Sequence, residues 1–188
     1  MRDRRDGDRR GRLILQAISK GYSLRAYRDN DAPALLAVEN RAAALFRDHG
    51  YPQVADDPLP DAAAVERLVS GARCWVAAAP DGAPAGFAVA VPLAGWLHLK
   101  EVSVDPAHGR LGLGRMLVAR VVDAAREAEL RGVSLTTFRD VPFNAPFYVK
   151  LGFADAGTDA PEGLRELLTN ELPAGVEASS RVLMLRRT

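Results

Sequence analysis

A glycine-rich turn between a predicted strand and a predicted helix is the segment of this chain best suited to chemistry. Residues 96–104 form an apolar run, and residues 115–130 have the spacing of an amphipathic helix. The turn at 109–114 carries three glycines, which allow a ligand to approach the backbone closely. Because the first N–H groups of a helix have no internal partner, they face whatever anion lies there. The segment therefore predicts an anion site, most simply a phosphate site.

Two common phosphate-binding motifs do not fit this turn. A P-loop needs Gly, four residues, Gly, Lys and then Ser or Thr, and no such string occurs in the chain. A dinucleotide fingerprint begins as Gly112 and Gly114 do, but its third glycine position is Leu117. Taken alone, the turn could also be an ordinary chain reversal whose glycines serve only the turn.

Composition narrows the class of protein. The chain has 188 residues, of which 48% are hydrophobic, and a net charge of +1. This predicts one domain over 21–188 with a sizeable core, and gives no global field that would favour nucleic acid or a membrane. Residues 1–20, rich in Arg and Asp, read as a disordered charged arm. No apolar run has transmembrane length and no secretory signal is convincing, so we expect a cytoplasmic protein.

The remaining pattern alternates short strands with helices. The helical run at 115–130 connects two predicted strands, which should therefore be parallel. Residues 53–60 read as a loop, and 164–172 as one short helix within a longer connection. The strands are predicted at 22–27, 74–79, 85–91, 96–104, 133–138 and 181–185, and the other helices at about 32–47 and 62–69.

A second motif follows the strand at 133–138. It consists of Asn144, the pair Phe147-Tyr148 and the pair Gly152-Phe153. Together with the turn at 109–114, it resembles the GNAT superfamily of acyl-CoA N-acyltransferases. The family's turn begins with Gln or Arg, and this chain has Gly109 there, with Arg110 one position later. The resemblance covers 96–153 by motif and 22–153 by the order of elements.

The resemblance implies a single-domain α/β (α+β) fold, with a mixed, mostly antiparallel sheet of about seven strands, a splayed central parallel pair and flanking helices. It implies acetyl-CoA as cosubstrate and no metal. The backbone of one strand would bind the pantetheine, the turn would bind the pyrophosphate, and an Asn would contact the cofactor or cap its helix. The corresponding residues are Val102, Ser103 and Val104, then Arg110, Leu111, Gly112, Leu113, Gly114 and Arg115, and finally Asn144.

The same resemblance suggests catalytic roles for two residues. Tyr148 matches the tyrosine that donates to the leaving thiolate, and its alternative is a tyrosine packed in the core. Glu101 lies where an acidic base can act directly or through water, and its alternative is a surface carboxylate. His98, three residues earlier, should face the other side of the strand. The single Cys74 reads as a small buried hydrophobe, and one Cys with three scattered His makes a metal site unlikely.

Acyl transfer from acetyl-CoA to a primary amine in a ternary complex is therefore the predicted function. The acceptor would be a small molecule or a peptide, and Asp48, Tyr51, Asp56 and Asp57 lie in the loop that shapes the acceptor pocket in the family. A homodimer is compatible with the sequence. The alternatives are an acyl-CoA-binding sensor without turnover and a nucleotide-binding domain unrelated to CoA, which the two failed motifs disfavour.

Overall fold

The structure, a computed structural model, describes residues 20–157 and 160–188. Seven strands form one sheet in the order β1-β2-β3-β4-β5-β7-β6. The strands are β1 Ser23–Ala26, β2 Arg73–Ala78, β3 Pro84–Leu93, β4 Trp96–Val104, β5 Gly132–Phe138, β6 Ala154–Asp155 and β7 Arg181–Arg187. The α-helices are α1 Ala32–Ala43, α2 Pro52–Asp56, α3 Ala62–Val69, α4 Leu113–Glu127, α5 Ala145–Val149, α6 Glu162–Arg165 and α7 Leu167–Asn170.

The sheet is mixed, and the predicted fold class is confirmed. Strands β4 and β5 are parallel, with Leu97 opposite Val133 and His98 opposite Ser134. The pairs β1–β2, β5–β7 and β6–β7 are antiparallel. A helix-containing crossover joins β4 to β5, which is the connection that parallel neighbours require. In the described residues, parallel pairing covers only these two positions of each strand.

The tight turn between β3 and β4 sets the register of the strand on which the site depends. It consists of Ala94 and Gly95, with φ values of 50° and 79°. Two central residues with positive φ are typical of a type I′ hairpin, whose twist matches that of the flanking strands. The predicted loop at 80–84 likewise joins β2 to β3.

The described residues fall into two compact units. The first comprises 20–42, 59–89 and 101–120. Its core contains Leu35 and Val38 of α1, Val65 of α3 and Phe87 of β3, all fully buried. An ion pair between Arg25 and Asp31, with two hydrogen bonds of 2.6 and 2.8 Å, fixes the chain just before α1.

The second unit comprises 43–58, 90–100 and 121–188. It contains two hydrophobic clusters. One gathers Leu164 and Leu183 around Trp96. The other gathers Val141 and Val176 around Phe138. No helix in the described ranges is both long and apolar enough to cross a membrane.

Some predicted boundaries were wrong. Part of the predicted loop at 53–60 is α2, which Pro52 begins because its fixed φ suits the first helical position. Helix α4 starts at Leu113 and stops at Glu127, since Glu129 adopts a left-handed φ of 53° and Leu130 N–H closes the end on Ala125 O. The helix predicted at 164–172 is divided into α6 and α7. The predicted arm lies outside the described residues except for Lys20.

We predict that Gly132→Ala severely destabilises the protein. Gly132 has a φ of 149°, and an added Cβ would lie 2.1 Å from the backbone oxygen of Arg186 in β7. Backbone at that distance cannot yield without breaking the β5–β7 ladder, so we expect a loss of roughly 4 kcal/mol in urea unfolding. Gly71→Ala is the control, because Gly71 has a φ of 68° with nothing within 4 Å, and its strain should cost only about 1 kcal/mol. Equal losses in the two variants would contradict the argument.

Candidate active site

The end of β4 carries the predicted base and the predicted pantetheine-binding residues. Glu101 is half-buried, and its Oε1 accepts a 2.8 Å hydrogen bond from the hydroxyl of buried Ser103. Two residues apart on a strand share one face, so Ser103 holds the Glu101 carboxylate on that face. Val102 and Val104 are half-buried between them. Glu101 is therefore positioned by a side chain for which the sequence had indicated only a backbone role.

A glycine on the neighbouring strand allows β4 to approach closely. A Cβ on Gly86 would lie 2.9 Å from the backbone oxygen of Ser103 and 3.1 Å from a methyl group of Val104. Asp105 N–H donates to Ala85 O at 3.0 Å directly beside it. Sequence reasoning missed Gly86, since one glycine in an apolar strand gives no signal of what lies opposite.

Asp105 anchors the turn that follows β4. Its carboxylate accepts a hydrogen bond of 2.8 Å from Arg41 Nε and one of 2.9 Å from the N–H of Ala107. Burial acts to raise the pKa of Asp105, but Arg41 and the Ala107 N–H outweigh it and leave that pKa lowered. The hydroxyl of Tyr22 and Nδ1 of His108 are 2.7 Å apart, which ties the turn to the start of β1.

The glycine-rich turn then presents its backbone. Arg110 and Gly112 have positive φ values of 58° and 89°, and Arg110 is exposed. The first turn of α4 is closed by Met116 N–H donating to Gly112 O at 2.9 Å. Among the described residues, the N–H groups of 111–114 have no hydrogen-bond acceptor. Of the predicted cradle residues, Leu113 is buried, and Leu111, Gly112, Gly114 and Arg115 are half-buried.

Tyr148 and Asn144 lie in the second unit. Tyr148 is 9% exposed, and its ring packs edge-on against Phe147 and Phe153 at centroid distances of 5.2 and 5.5 Å. Asn144 Nδ2 donates to Thr137 Oγ1 at 2.7 Å, while its buried Oδ1 has no partner among the described residues. Asn144 starts α5 through its backbone oxygen, and its side chain makes no capping bond.

A buried histidine network is the feature of this unit that the sequence did not reveal. His98 is 1% exposed, with Nδ1 at 3.0 Å from Ser134 Oγ and Nε2 at 2.9 Å from Glu171 Oε1. Glu171 Oε2 accepts a 2.6 Å hydrogen bond from Thr136, which also accepts one from Arg181. Glu171 is 73 residues from His98, so no local pattern could have joined them. His98 is a satisfied interior histidine, not a solvent-facing base.

The single cysteine has no nucleophilic character. Burial, and next the charge of Asp31, raise the pKa of Cys74 to about 12. At neutral pH the side chain is therefore a thiol, which is not the nucleophilic form. No group of three or more His, Cys, Asp or Glu side chains in 20–157 and 160–188 is arranged to hold a metal ion.

The residues predicted for the acceptor pocket are not equivalent. The carboxylate of Asp56 is paired with Arg47, whereas Asp48 and Asp57 are exposed. Tyr51 packs against Phe138 at a centroid distance of 4.2 Å. Tyr51 also lines a cavity, together with His49 and Gln53.

Comparison with known proteins agrees with this arrangement. Residues 33–153 match the acetyltransferase (GNAT) family. The chain belongs to the GNAT acetyltransferase family. A streptothricin acetyltransferase of Streptomyces lavendulae is 37% identical over 94 residues. That match covers 47% of this chain and 48% of that protein, so the chain aligns with about half the length of this relative.

Solved structures of GNAT proteins share the fold. The PaiA N-acetyltransferase of Thermoplasma acidophilum, in complex with coenzyme A, has a TM-score of 0.65 at 14% identity. That likeness covers 89% of this chain and 99% of the other. A nourseothricin acetyltransferase has a TM-score of 0.59 at 21% identity, covering 89% and 98%. At these identities the likeness shows the fold alone.

In this GNAT protein we predict that Glu171 stabilises the fold above pH 4.5. Burial acts to raise the pKa of Glu171, but hydrogen bonds from His98 and Thr136 and the charges of His98 and Arg181 leave it below its ordinary value of 4.5. A lowered pKa gives stability that is complete above the unfolded value and is lost as pH falls through the folded value. Glu171→Gln should cost roughly 1–2 kcal/mol at pH 7 and less at pH 3 in urea unfolding.

Glu162→Gln provides the control for this experiment. Glu162 is an exposed carboxylate of α6 in the same unit. Its variant should stay within about 0.5 kcal/mol of the parent at both pH values. A Glu171→Gln deficit that is constant between pH 7 and pH 3 would show that the carboxylate charge is not the stabilising feature.

Proposed function

We propose that the protein is an N-acetyltransferase that transfers the acetyl group of acetyl-CoA to a primary amine by direct attack in a ternary complex. The observation that carries this proposal is the row of unpartnered N–H groups at 111–114, at the start of α4. A helix of 15 residues adds its dipole to these donors, so an anion such as pyrophosphate is stabilised there.

The residues around this turn fit the rest of the cosubstrate. The backbone of Val102, Ser103 and Val104 would hydrogen-bond the pantetheine, and Gly86 lets the neighbouring strand lie close to Ser103 and Val104. Arg110, which is exposed, and Arg115 supply positive charge beside the turn. In the second unit, the unpartnered Oδ1 of Asn144 can accept a hydrogen bond from an amide of the cosubstrate.

Glu101 and Tyr148 would divide the proton transfers. Glu101, held by Ser103, removes a proton from the incoming ammonium directly or through water, which frees the nitrogen lone pair. That nitrogen attacks the thioester carbonyl carbon, where a backbone N–H near Val102 stabilises the developing charge. As the C–S bond breaks, the Tyr148 hydroxyl donates a hydrogen bond or a proton to the thiolate. The attacking nitrogen releases its second proton to solvent as the amide forms, and a Tyr148 that has given up its proton regains one from solvent. Because Cys74 is a half-buried thiol with a raised pKa, no acetyl-cysteine intermediate is proposed.

The relatives suggest which acceptor to test first. The curated relative is named a streptothricin acetyltransferase, and one solved neighbour is a nourseothricin acetyltransferase. We propose an amine of this kind as the acceptor. A non-catalytic acyl-CoA sensor is the alternative, and it would have the same cradle without turnover.

We predict saturable binding of acetyl-CoA that depends on the backbone of the turn. In calorimetric titrations, Gly112→Val should weaken acetyl-CoA binding at least tenfold, because a β-branched residue is strained at a φ of 89°. Arg110→Gly should lose less than about threefold, since glycine accepts a φ of 58° and the N–H donors remain. ATP and NAD should bind to neither variant nor parent.

Gly82→Val is the matched control for strain. Gly82 lies in the β2–β3 loop with a φ of 86°, and a Cβ added there would meet nothing within 4 Å. This variant should bind acetyl-CoA like the parent. A parent protein that is folded but does not bind acetyl-CoA would refute the proposal, and equal weakening by Gly82→Val and Gly112→Val would assign the effect to general destabilisation.

We predict that Tyr148→Phe and Glu101→Gln each lower turnover at least about 100-fold, the range for loss of a general acid or base. Release of CoA thiol with streptothricin as acceptor measures this rate. Acetyl-CoA affinity, measured by calorimetry, should change little, which separates chemistry from binding. Turnover unchanged in both variants would remove these residues from the mechanism. Binding without thiol release for any acceptor in an amine panel would favour the sensor alternative.

A further inference from the structure

Residues 105–108, between β4 and the glycine-rich turn, form a short segment that is bonded within itself. Pro106–His108 make a single 3₁₀ turn, in which the N–H of His108 donates to Asp105 O at 2.8 Å. The N–H of Ala107 donates to Asp105 Oδ1 at 2.9 Å. These bonds fix the shape of the segment, whereas its attachment to the rest of the unit depends on contacts beyond it.

The first of two side-chain contacts that anchor the 105–108 segment comes from α1. The two carboxylate oxygens of Asp105 have different partners. Oδ1 accepts from Ala107 in the segment itself, whereas Oδ2 lies 2.8 Å from Nε and 2.6 Å from Nη2 of Arg41. Asp105 is 6% exposed, so the guanidinium compensates a charge that is largely removed from water. A change at Arg41 therefore reaches the segment through this carboxylate.

The second contact joins the other end of the segment to the chain before β1. The hydroxyl of Tyr22 and Nδ1 of His108 are 2.7 Å apart, and the two rings meet edge-on with their centroids 5.8 Å apart. Both side chains are half-buried. Tyr22 is 86 residues from His108, and Arg41 is 64 residues from Asp105. Two distant parts of the chain therefore hold the two ends of the segment, and moving it breaks at least one contact.

The glycine-rich turn that follows depends on this anchoring. Among the described residues, the N–H groups of 111–114 have no acceptor, which leaves them available to an anion. Their position is therefore set by the two pieces that flank them, α4 and the 105–108 segment. Several donors serve one anion only while they converge on it, and hydrogen bonds weaken steeply when their angles change. A small movement of the segment would weaken the whole set of donors.

We infer that Arg41 and Tyr22 are positioning residues for acetyl-CoA, which hold in place the segment that aims the N–H donors of 111–114. The identity of the ligand in this inference rests on the proposed function. Arg41 acts through the Asp105 carboxylate and Tyr22 through the His108 ring. All of these residues belong to the first unit. Because coupling between two sites is reciprocal, bound acetyl-CoA should in turn protect the end of α1.

Calorimetric titration with acetyl-CoA tests the contact from α1. Arg41→Met keeps a long side chain without a donor and should weaken binding about tenfold, the usual effect of losing a hydrogen bond to a charged group. Arg41→Lys should lose less than about threefold, because both guanidinium contacts go to one oxygen, to which an ammonium can also donate.

Arg25→Met is the matched control. Arg25 pairs with Asp31 at 2.6 Å in the same unit, and that carboxylate is also buried and also accepts a backbone N–H, from Arg28. The control should lose at least as much stability in urea unfolding as Arg41→Met, yet bind acetyl-CoA like the parent. Equal weakening in the two variants would assign the effect to general destabilisation and overturn the inference, as would an Arg41→Met variant with the parent's affinity.

The contact from the chain before β1 has its own pair of variants. Tyr22→Phe removes the hydroxyl and keeps the ring against His108, so acetyl-CoA should bind about threefold more weakly. Tyr27→Phe is the control, because Tyr27 is a half-buried tyrosine of the same unit that packs on the cluster of Leu35 and Val65. It should bind like the parent. Equal affinities of the two variants would remove Tyr22 from the positioning role.

Kinetics separates positioning from loss of folded protein. In the thiol-release assay, Arg41→Met and Tyr22→Phe should raise the KM for acetyl-CoA by the factors seen in binding, with kcat within about twofold of the parent, because the lost contacts act on binding of the cosubstrate. A smaller fraction of folded enzyme would instead lower kcat and leave the KM unchanged. That second pattern would contradict the inference.

NMR of the full chain without ligand distinguishes failure of this inference from failure of the proposed function. Arg41→Met should shift or broaden the ¹⁵N amide signals of Leu111, Gly112 and Gly114, and Arg25→Met should leave them in place. Those changes in a parent background that does not bind acetyl-CoA would refute the proposed function and leave the dependence of the turn on Arg41 standing. Acetyl-CoA binding that Arg41→Met and Tyr22→Phe do not weaken would refute the positioning role alone.

Discussion

The first unit depends on how the Asp105 carboxylate ends β4. A strand that continued would pair its N–H groups and have none to offer a ligand. Asp105 stops this by accepting hydrogen bonds from Arg41 and the Ala107 N–H, which turns the chain away. Gly112, with its positive φ, then leads the chain into α4. The N–H groups at the start of this helix are left without partners among the described residues. Burying the Asp105 carboxylate costs free energy unless hydrogen-bond donors surround it. The donors that satisfy it are Arg41 and the N–H of Ala107, and the latter bond fixes the turn.

In the second unit, a polar network satisfies a histidine that is buried in the sheet. His98 lies in the interior of a sheet, where an unsatisfied imidazole would be costly. Ser134 and Glu171 satisfy both ring nitrogens, and the hydroxyl can either donate or accept. The network therefore leaves neither ring nitrogen of His98 without a partner. Its consequence is structural, because Glu171 attaches the segment after α7 to the strands β4 and β5.

Regular elements were predictable from sequence because their signals are local. The apolar run ended by Asp105-Pro106 defines β4, and the crossover helix makes β5 parallel to it. The glycine-rich turn before α4 was predictable for the same reason, since strand, turn and helix are contiguous. The partners of His98 and the close approach of Gly86 to Ser103 were not, because they depend on residues far apart in the chain. The boundaries of two helices also differ from the prediction because of one residue each. The fixed φ of Pro52 begins α2, and the left-handed φ of Glu129 follows the end of α4.

Net charge does not report how charges and hydrogen-bond donors are distributed within each unit. A net charge of +1 suggests no electrostatic preference. Within the units, however, one segment presents unpartnered N–H donors and another presents unpaired carboxylates. At 111–114 the unpartnered donors are backbone amides, a type of group that can bind an anion without any cationic side chain. In the second unit, the exposed carboxylates of Asp140 and Glu177 have no ion pair among the described residues, while Arg47 is paired with Asp56 and Arg139 with Asp155. The local electrostatic field therefore depends on which charges are already paired, and a composition cannot report that.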